Sequence, residues 1–219
     1  MTVPAPAATV ILLRDAAAGL EVLLLRRNSQ LAFHGGAWVF PGGRVDPEDR
    51  RDDADERAAR RAAVREAREE AGIDIEPAKL VAFSHWTTPE GRPRRFATWF
   101  YLAVPDQWRV SVDGGEIHDH AWFTPEAALA ARSDGRIELP PPTFVTLDTL
   151  RPHRRVASVL GSVRDREPLV FEPRVVPVDG GMCALYPGDA GWASCEPRRP
   201  GPRHRLLMLD SGWSYQREA

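Results

Sequence analysis

Three glutamates, Glu66, Glu69 and Glu70, stand at i, i+3 and i+4 in the stretch Arg65-Glu66-Ala67-Arg68-Glu69-Glu70-Ala71-Gly72-Ile73. On a helix that spacing brings all three out on one face. Like charges so placed repel by ~0.2–0.5 kcal/mol per pair. Arg65, four residues before Glu69, offers the one local relief. A hard divalent cation with oxygen ligands is the simplest way to neutralise such a cluster. Projecting residues 55–71 at about 100° per residue puts the glutamates on the side of Ala59, Ala62 and Ala63. Arg57, Arg61, Arg68 and Val64 fall opposite. Small residues beside the acids let another backbone approach, whereas a helix facing only solvent would mix its charges. Gly72 supplies the helix stop, and Phe40-Pro41-Gly42-Gly43 lies upstream.

These residues resemble the signature of the Nudix hydrolase superfamily, G-x5-E-x7-R-E-U-x-E-E-x-G-U, where U is bulky and apolar. Gly43 matches its opening glycine, and Arg65, Glu66, Glu69, Glu70, Gly72 and Ile73 match its second half; Ala67 takes the first apolar position. Gly43 and Arg65 are separated by eight residues more than the signature allows, which predicts a longer loop within the charged run 46–53. Counting back from Arg65, the first glutamate falls at Arg57, with Glu56 one position out of register.

The resemblance implies hydrolysis of a nucleoside diphosphate linked to another group, with Mg²⁺ or Mn²⁺ as cofactor. A P–O–P bridge ringed by anionic oxygens repels a nucleophile, and divalent ions relieve that repulsion and activate water. By the resemblance, Glu69 and Glu70 are metal ligands and Glu66 is a ligand or general base. Arg65 would orient Glu69 or a neighbouring carboxylate. Gly42 and Gly43 would let the loop turn sharply and bring backbone close to the phosphates.

The flanks bear on the substrate. Residues 23–43 are similar to a motif upstream of the signature in coenzyme A-cleaving Nudix enzymes, L-L-T-x-R-[SA]-x3-R-x3-G-x3-F-P-G-G. Leu23, Leu24, Arg27, Gly36 and Phe40 to Gly43 fit it, whereas Leu25, Asn28 and Ala32 depart, the last replacing an arginine. The long loop, Trp86-Thr87-Thr88-Pro89, Arg95-Phe96-Ala97-Thr98, Trp122-Phe123-Thr124-Pro125 and Leu139-Pro140-Pro141-Pro142 look like the long-loop branch that includes a coenzyme A diphosphatase. CoA or an acyl-CoA would then be cut into 3′,5′-ADP and a phosphopantetheine. Arg27 and Arg95 would grip phosphate bidentately, against the plainer reading that either is a surface arginine. ADP-ribose, a dinucleotide or an oxidised nucleotide is the alternative substrate, and a ligand-binding module without turnover is a reading from another class.

A second acidic cluster lies at Gly115-Glu116-Ile117-His118-Asp119-His120-Ala121-Trp122-Phe123. By analogy with acids before such a Trp-Phe pair in Nudix enzymes, Glu116 is the better candidate for a further metal ligand or base, and Asp119 the weaker. A polar loop before an edge strand is the competing reading. His118 and His120 have no cysteine or third histidine nearby, which argues against zinc.

Composition agrees without deciding. The 219 residues suffice for one buried domain with an extension, or two small domains. A net charge of −2 gives no electrostatic reason to expect nucleic acid or an anionic membrane as partner. Cys183 and Cys195 lack CxxC spacing, so a reduced cytoplasmic setting is expected. The apolar run 8–13 is too short to span a bilayer and has no basic segment before it.

To hold the glutamates in place, the chain needs strands beneath that helix. Residues 8–13 and 21–25 read as strands joined by a turn, apolar enough to be buried on both faces. Residues 37–40, 80–86, 96–104 and 121–123 read as further strands. Thr124 and Pro125 start a helix, Pro140 opens another through Leu150, and residues 154–163 suit a third. The expected fold is α/β, a Nudix-type α/β/α sandwich on a central mixed sheet. The domain covers residues 1–165, and 166–219 form a small β-rich extension with strands at 169–171, 175–176 and 205–209. That extension would cap the substrate pocket, form a homodimer contact, or only cover one side of the sheet.

Overall fold

The computed structural model describes residues 2–30, 35–51, 55–112 and 114–218. In chain order the elements are β1 (Ala5–Ala16), β2 (Gly19–Arg27), β3 (Trp38–Val39), β4 (Gly42–Arg44), α1 (Pro47–Arg50) and α2 (Asp55–Ala71). There follow β5 (Val81–Thr87), β6 (Phe96–Ala103), β7 (Ile117–Phe123), α3 (Pro125–Ser133), α4 (Pro141–Leu150) and α5 (Val156–Val163). The last part contains β8 (Leu169–Phe171), β9 (Arg174–Val178), β10 (Gly181–Leu185), β11 (His204–Leu209) and β12 (Gly212–Arg217).

The central sheet runs β3-β2-β1-β6-β5-β8, with β4 also on β1 and β7 also on β2. β1 pairs in parallel with β6, and β5 with β8, while the other pairings are antiparallel, so the sheet is mixed as expected. Alternation along β1 explains its unbroken apolar run. Val10 and Leu12 pack toward α2, and Ile11 and Leu13 toward the opposite core with α4 and α5. α2 lies on the sheet through Ala58, Ala59, Ala62, Ala63, Ala67 and Ala71, all fully buried. Methyl-sized side chains let the helix backbone come close to β1. At its end Gly72 turns at φ 66°, and the Ile73 N–H donates to Ala67 O, a Schellman closure. Thr124 caps α3 by accepting the Ala127 N–H at 3.1 Å, with Pro125 at the first helical position.

Residues 169–171 add β8 to the central sheet, and β9 to β12 form a separate antiparallel sheet. The two are packed together by aromatic rings. Phe171 stacks on Trp86 with centroids 3.9 Å apart, and Tyr186 sits edge-on to both. Trp213 of β12 is held between Arg132 of α3 (3.7 Å to the ring centroid) and Phe144 of α4. A buried bidentate pair, Arg205 with Asp189 at 2.6 and 2.7 Å, anchors the long loop between β10 and β11. β10 and β12 were not legible in the sequence. Gly181-Met182-Cys183-Ala184-Leu185 has little β-branched character, and its strand exists because β9 and β11 flank it.

Candidate active site

The glutamate face of α2 meets the glycine pair directly. β4 pairs with β1 in the register Thr9–Gly42 and Ala7–Arg44, which fixes the glycines under the helix. The Gly42 N–H donates to Glu70 Oε2 at 2.9 Å. A Cβ at Gly43 would overlap the Glu66 carboxylate, and one at Gly42 would overlap Thr9 and the Ala8 carbonyl. Neither glycine is among those with positive φ, so the expected sharp turn is corrected. These positions need glycine because carboxylates and strand β1 approach too closely for any side chain.

Arg65 organises the acids. Its Nη1 donates to Glu66 (2.8 Å) and Glu69 (2.9 Å), and its Nη2 to Asp49 (3.0 Å) and the Arg44 carbonyl (2.9 Å). Asp49 is only 5% exposed, and its carboxylate also accepts the Asp46 N–H that starts α1. This corrects the backward count that put the first acid at Arg57, which is exposed on α2. Counting forward from Gly43, Asp49 occupies the place where the signature has its first glutamate, and the additional residues follow it. That forward count was the available signal; an aspartate where glutamate was sought hid it.

Burial dominates the titration of this site. The Glu70 carboxyl is pushed up to about 8 by burial, with Glu66 and Glu116 adding to the effect; the Gly42 N–H and Arg27 oppose it. Glu66 is also raised by burial, against the Arg65 guanidinium. Arg65 itself would be lowered by its burial, but Asp49 and Glu66 hold it firmly charged. Glu69 lies at the rim, its side chain 57% exposed.

A cavity of about 630 Å³ opens over this face. Its lining brings together Glu66, Glu69, Glu70, Glu116, Gly42, Gly43 and Arg27. Glu116 reaches Arg27 at 3.6 Å, and Arg27 Nε has no hydrogen-bond partner among the described residues. Asp119 does not line the cavity; its carboxylate accepts the His120 N–H. Arg95 is not brought to the cavity either. Its guanidinium donates to the carbonyls of Thr88 (3.1 Å) and Thr2 (3.0 Å), and Arg94 lines the cavity instead. Ala32 lies outside the described residues. No residue of 166–219 lines this cavity, so among the described residues the extension does not cap it. A second cavity, of about 750 Å³, lies on the outer sheet near Cys195, Arg198 and Leu207, remote from the acids.

Among the described residues no three His, Cys, Asp or Glu side chains already converge as a metal-ligand cluster. Glu66 and Glu69 are drawn to Arg65, and Glu116 to Arg27. The donor chemistry nevertheless fits a hard divalent cation. Five carboxylates, those of Asp46, Glu66, Glu69, Glu70 and Glu116, line one cavity, and burial raises Glu66 and Glu70 above the ordinary carboxylate range.

The NUDIX domain family model matches residues 3–141. The chain belongs to the Nudix family. It is 34% identical over 109 residues to the CTP pyrophosphohydrolase of Escherichia coli, a match covering 50% of this chain and 70% of that protein. It is 44% identical over 65 residues to the peroxisomal coenzyme A diphosphatase ndx-8 of Caenorhabditis elegans, covering 30% of this chain and 25% of that one. The crystal structure of a NUDIX hydrolase from Alicyclobacillus acidocaldarius shares the fold, with a TM-score of 0.65 at 24% identity, over 74% of this chain and 97% of that one. The chain spans between 25% and 70% of the lengths of the curated relatives it matches. The Nudix signature and the cavity thus coincide on α2 and β4.

Proposed function

We propose that this protein is a divalent-metal-dependent Nudix hydrolase of nucleoside diphosphate derivatives, acting on CoA or an acyl-CoA. The observation that carries this reading is a buried carboxylate, Glu70, and a partly buried one, Glu66, seated on a glycine strand in a cavity that also holds Arg27. Similarity to a protein named coenzyme A diphosphatase supports the choice of substrate. Residues 1–165 form the catalytic unit, to whose sheet 166–219 adds strand β8 and against which its outer sheet packs. The free Cys183 and Cys195 suit a reduced, cytoplasmic setting.

Glu66, Glu69 and Glu70 would hold Mg²⁺ or Mn²⁺, with Glu116 as a further ligand or base. Such an ion supplies Lewis acidity, offsetting the charge on the diphosphate and making water a stronger nucleophile near neutral pH. Glu66 is the group that takes the proton from the attacking water, and Arg65 keeps it oriented through the 2.8 Å contact. Arg27, whose guanidinium lines the cavity beside Glu116, binds a phosphate oxygen. Gly42 and Gly43 leave room for the Glu66 carboxylate and strand β1 to come close, which seats the acids against the glycine strand beside the phosphates. Water adds across the P–O–P bridge, giving 3′,5′-ADP and the phosphopantetheine.

A panel of CoA, acyl-CoA, ADP-ribose, dinucleotides and nucleoside triphosphates, with Mg²⁺ or Mn²⁺, tests this. Highest kcat/KM on CoA or an acyl-CoA is the expected result. Preference for CTP would move the assignment to the alternative that the longer match to CTP pyrophosphohydrolase favours. Absence of turnover on every diphosphate would leave a ligand-binding module.

A further inference from the structure

We propose that Arg94 determines specificity by selecting nucleoside diphosphate derivatives that carry a further phosphate, apart from the diphosphate that is cut. The inference rests on reading the cavity as a diphosphate site.

The cavity floor is three adjacent strands, β4, β1 and β6, held in register by the pairs Thr9–Gly42, Ala7–Arg44 and Ala7–Thr98. Neighbouring strands lie about 4.8 Å apart, so the β4 wall and the β6 wall are roughly 10 Å apart across the floor. The acids stand at the β4 end. Phe96 and, two residues before it, Arg94 line the β6 end. Between them the floor carries small side chains, Ala7, Thr9 and Thr98, which leave room for a ligand to lie across it.

Arg94 is placed there by its neighbour. Arg95 spends its guanidinium on the Thr88 and Thr2 carbonyls, and its own carbonyl accepts the Ala5 N–H at 2.8 Å. The Phe96 N–H donates to Thr88 Oγ1. With the hairpin end braced in this way, the adjacent side chain at 94 is delivered to the cavity. Arg27 and Arg65 have carboxylate partners, whereas Arg94 has no ion pair or hydrogen bond among the described residues. A diphosphate held by the glutamates is too short to span that floor. A phosphate on the ribose of the same nucleotide lies several bonds further on and complements the charge of Arg94. A guanidinium is suited to it because it grips phosphate oxygens in pairs.

Two substrates that differ only in that phosphate, CoA and dephospho-CoA, test the proposal on the full chain with Mn²⁺. The wild type is expected to favour CoA in kcat/KM. Arg94→Gln should lower the CoA to dephospho-CoA ratio on the order of tenfold, through KM and not kcat. Arg94→Lys should retain part of the ratio. An unchanged ratio in Arg94→Gln, including equal losses on both substrates, overturns the proposal. Calorimetric titration with 3′,5′-ADP and 5′-AMP needs no turnover and separates this inference from the one beneath it. Tighter binding of 3′,5′-ADP that Arg94→Gln abolishes supports Arg94 selection even in a protein that cleaves nothing. Equal binding of the two nucleotides by the wild type overturns it even in an active hydrolase.

Discussion

Arg65 Nη2 lies 3.0 Å from the buried carboxylate of Asp49, and this pair joins the loop after the glycines to the glutamate face of α2. Arg65 can hold Glu66 and Glu69 with one nitrogen because Asp49 and the Arg44 carbonyl hold the other.

Removing Asp49 should therefore act on the acids it never touches. Asp49→Ala is expected to cost about 2 kcal/mol, less than a fully buried pair because Arg65 is a quarter exposed. The accompanying effect is weaker Mn²⁺ affinity. Thermal melting and a metal titration measure the two; a melting shift with unaltered metal affinity would confine Asp49 to the scaffold.

Glu70→Gln keeps an oxygen for the Gly42 N–H while removing the charge. We expect a fall in kcat of roughly a hundredfold or more, in the range for a lost catalytic carboxylate, with circular dichroism unchanged. Near-wild-type turnover by a folded variant would remove Glu70 from the chemistry.

The raised carboxyl of Glu70 also makes metal-free stability depend on pH. The carboxyl titrates near 4.5 when exposed and at about 8 in the fold, so the folded protein binds the proton more tightly. Its contribution is complete below pH 4.5 and is lost as pH rises toward 8. Melting temperatures of the metal-free protein should decline across that window, and less so in Glu70→Gln. Mn²⁺ should raise the melting temperature more at pH 8 than at pH 6, since it binds the ionised form. A wild-type profile that parallels Glu70→Gln would contradict the assignment.

Gly43→Ala introduces a methyl where the Glu66 carboxylate sits. Accommodating it should cost about 1–3 kcal/mol and displace Glu66, so activity falls further than stability alone explains. Full activity in the variant would show that the floor tolerates a side chain.

Trp213→Ala separates the outer sheet from the chemistry. Losing the ring between Arg132 and Phe144 is expected to cost about 2 kcal/mol, since Trp213 is only partly buried. Among the described residues none of 166–219 lines the acidic cavity, so kcat should hold at temperatures where the variant remains folded. A drop in kcat without unfolding would tie the extension to the site.

The glutamate face of α2 was readable from the chain alone, because helical periodicity is local: positions 66, 69 and 70 share a face wherever the helix sits. The same holds for the Gly72 stop, the Thr124 cap and the doubly buried β1. Which arginine enters the cavity was not local. Arg94 and Arg95 are adjacent residues leading into β6, and the contacts of Arg95 with the Thr88 and Thr2 carbonyls decide which of them faces the cavity. Asp49 meets Arg65 across sixteen residues through a loop whose length obscures the register. β10 and β12 exist through pairing with their neighbours. Contacts set by periodicity within one element belong to the sequence; contacts between elements wait for the fold, because only packing decides which faces meet.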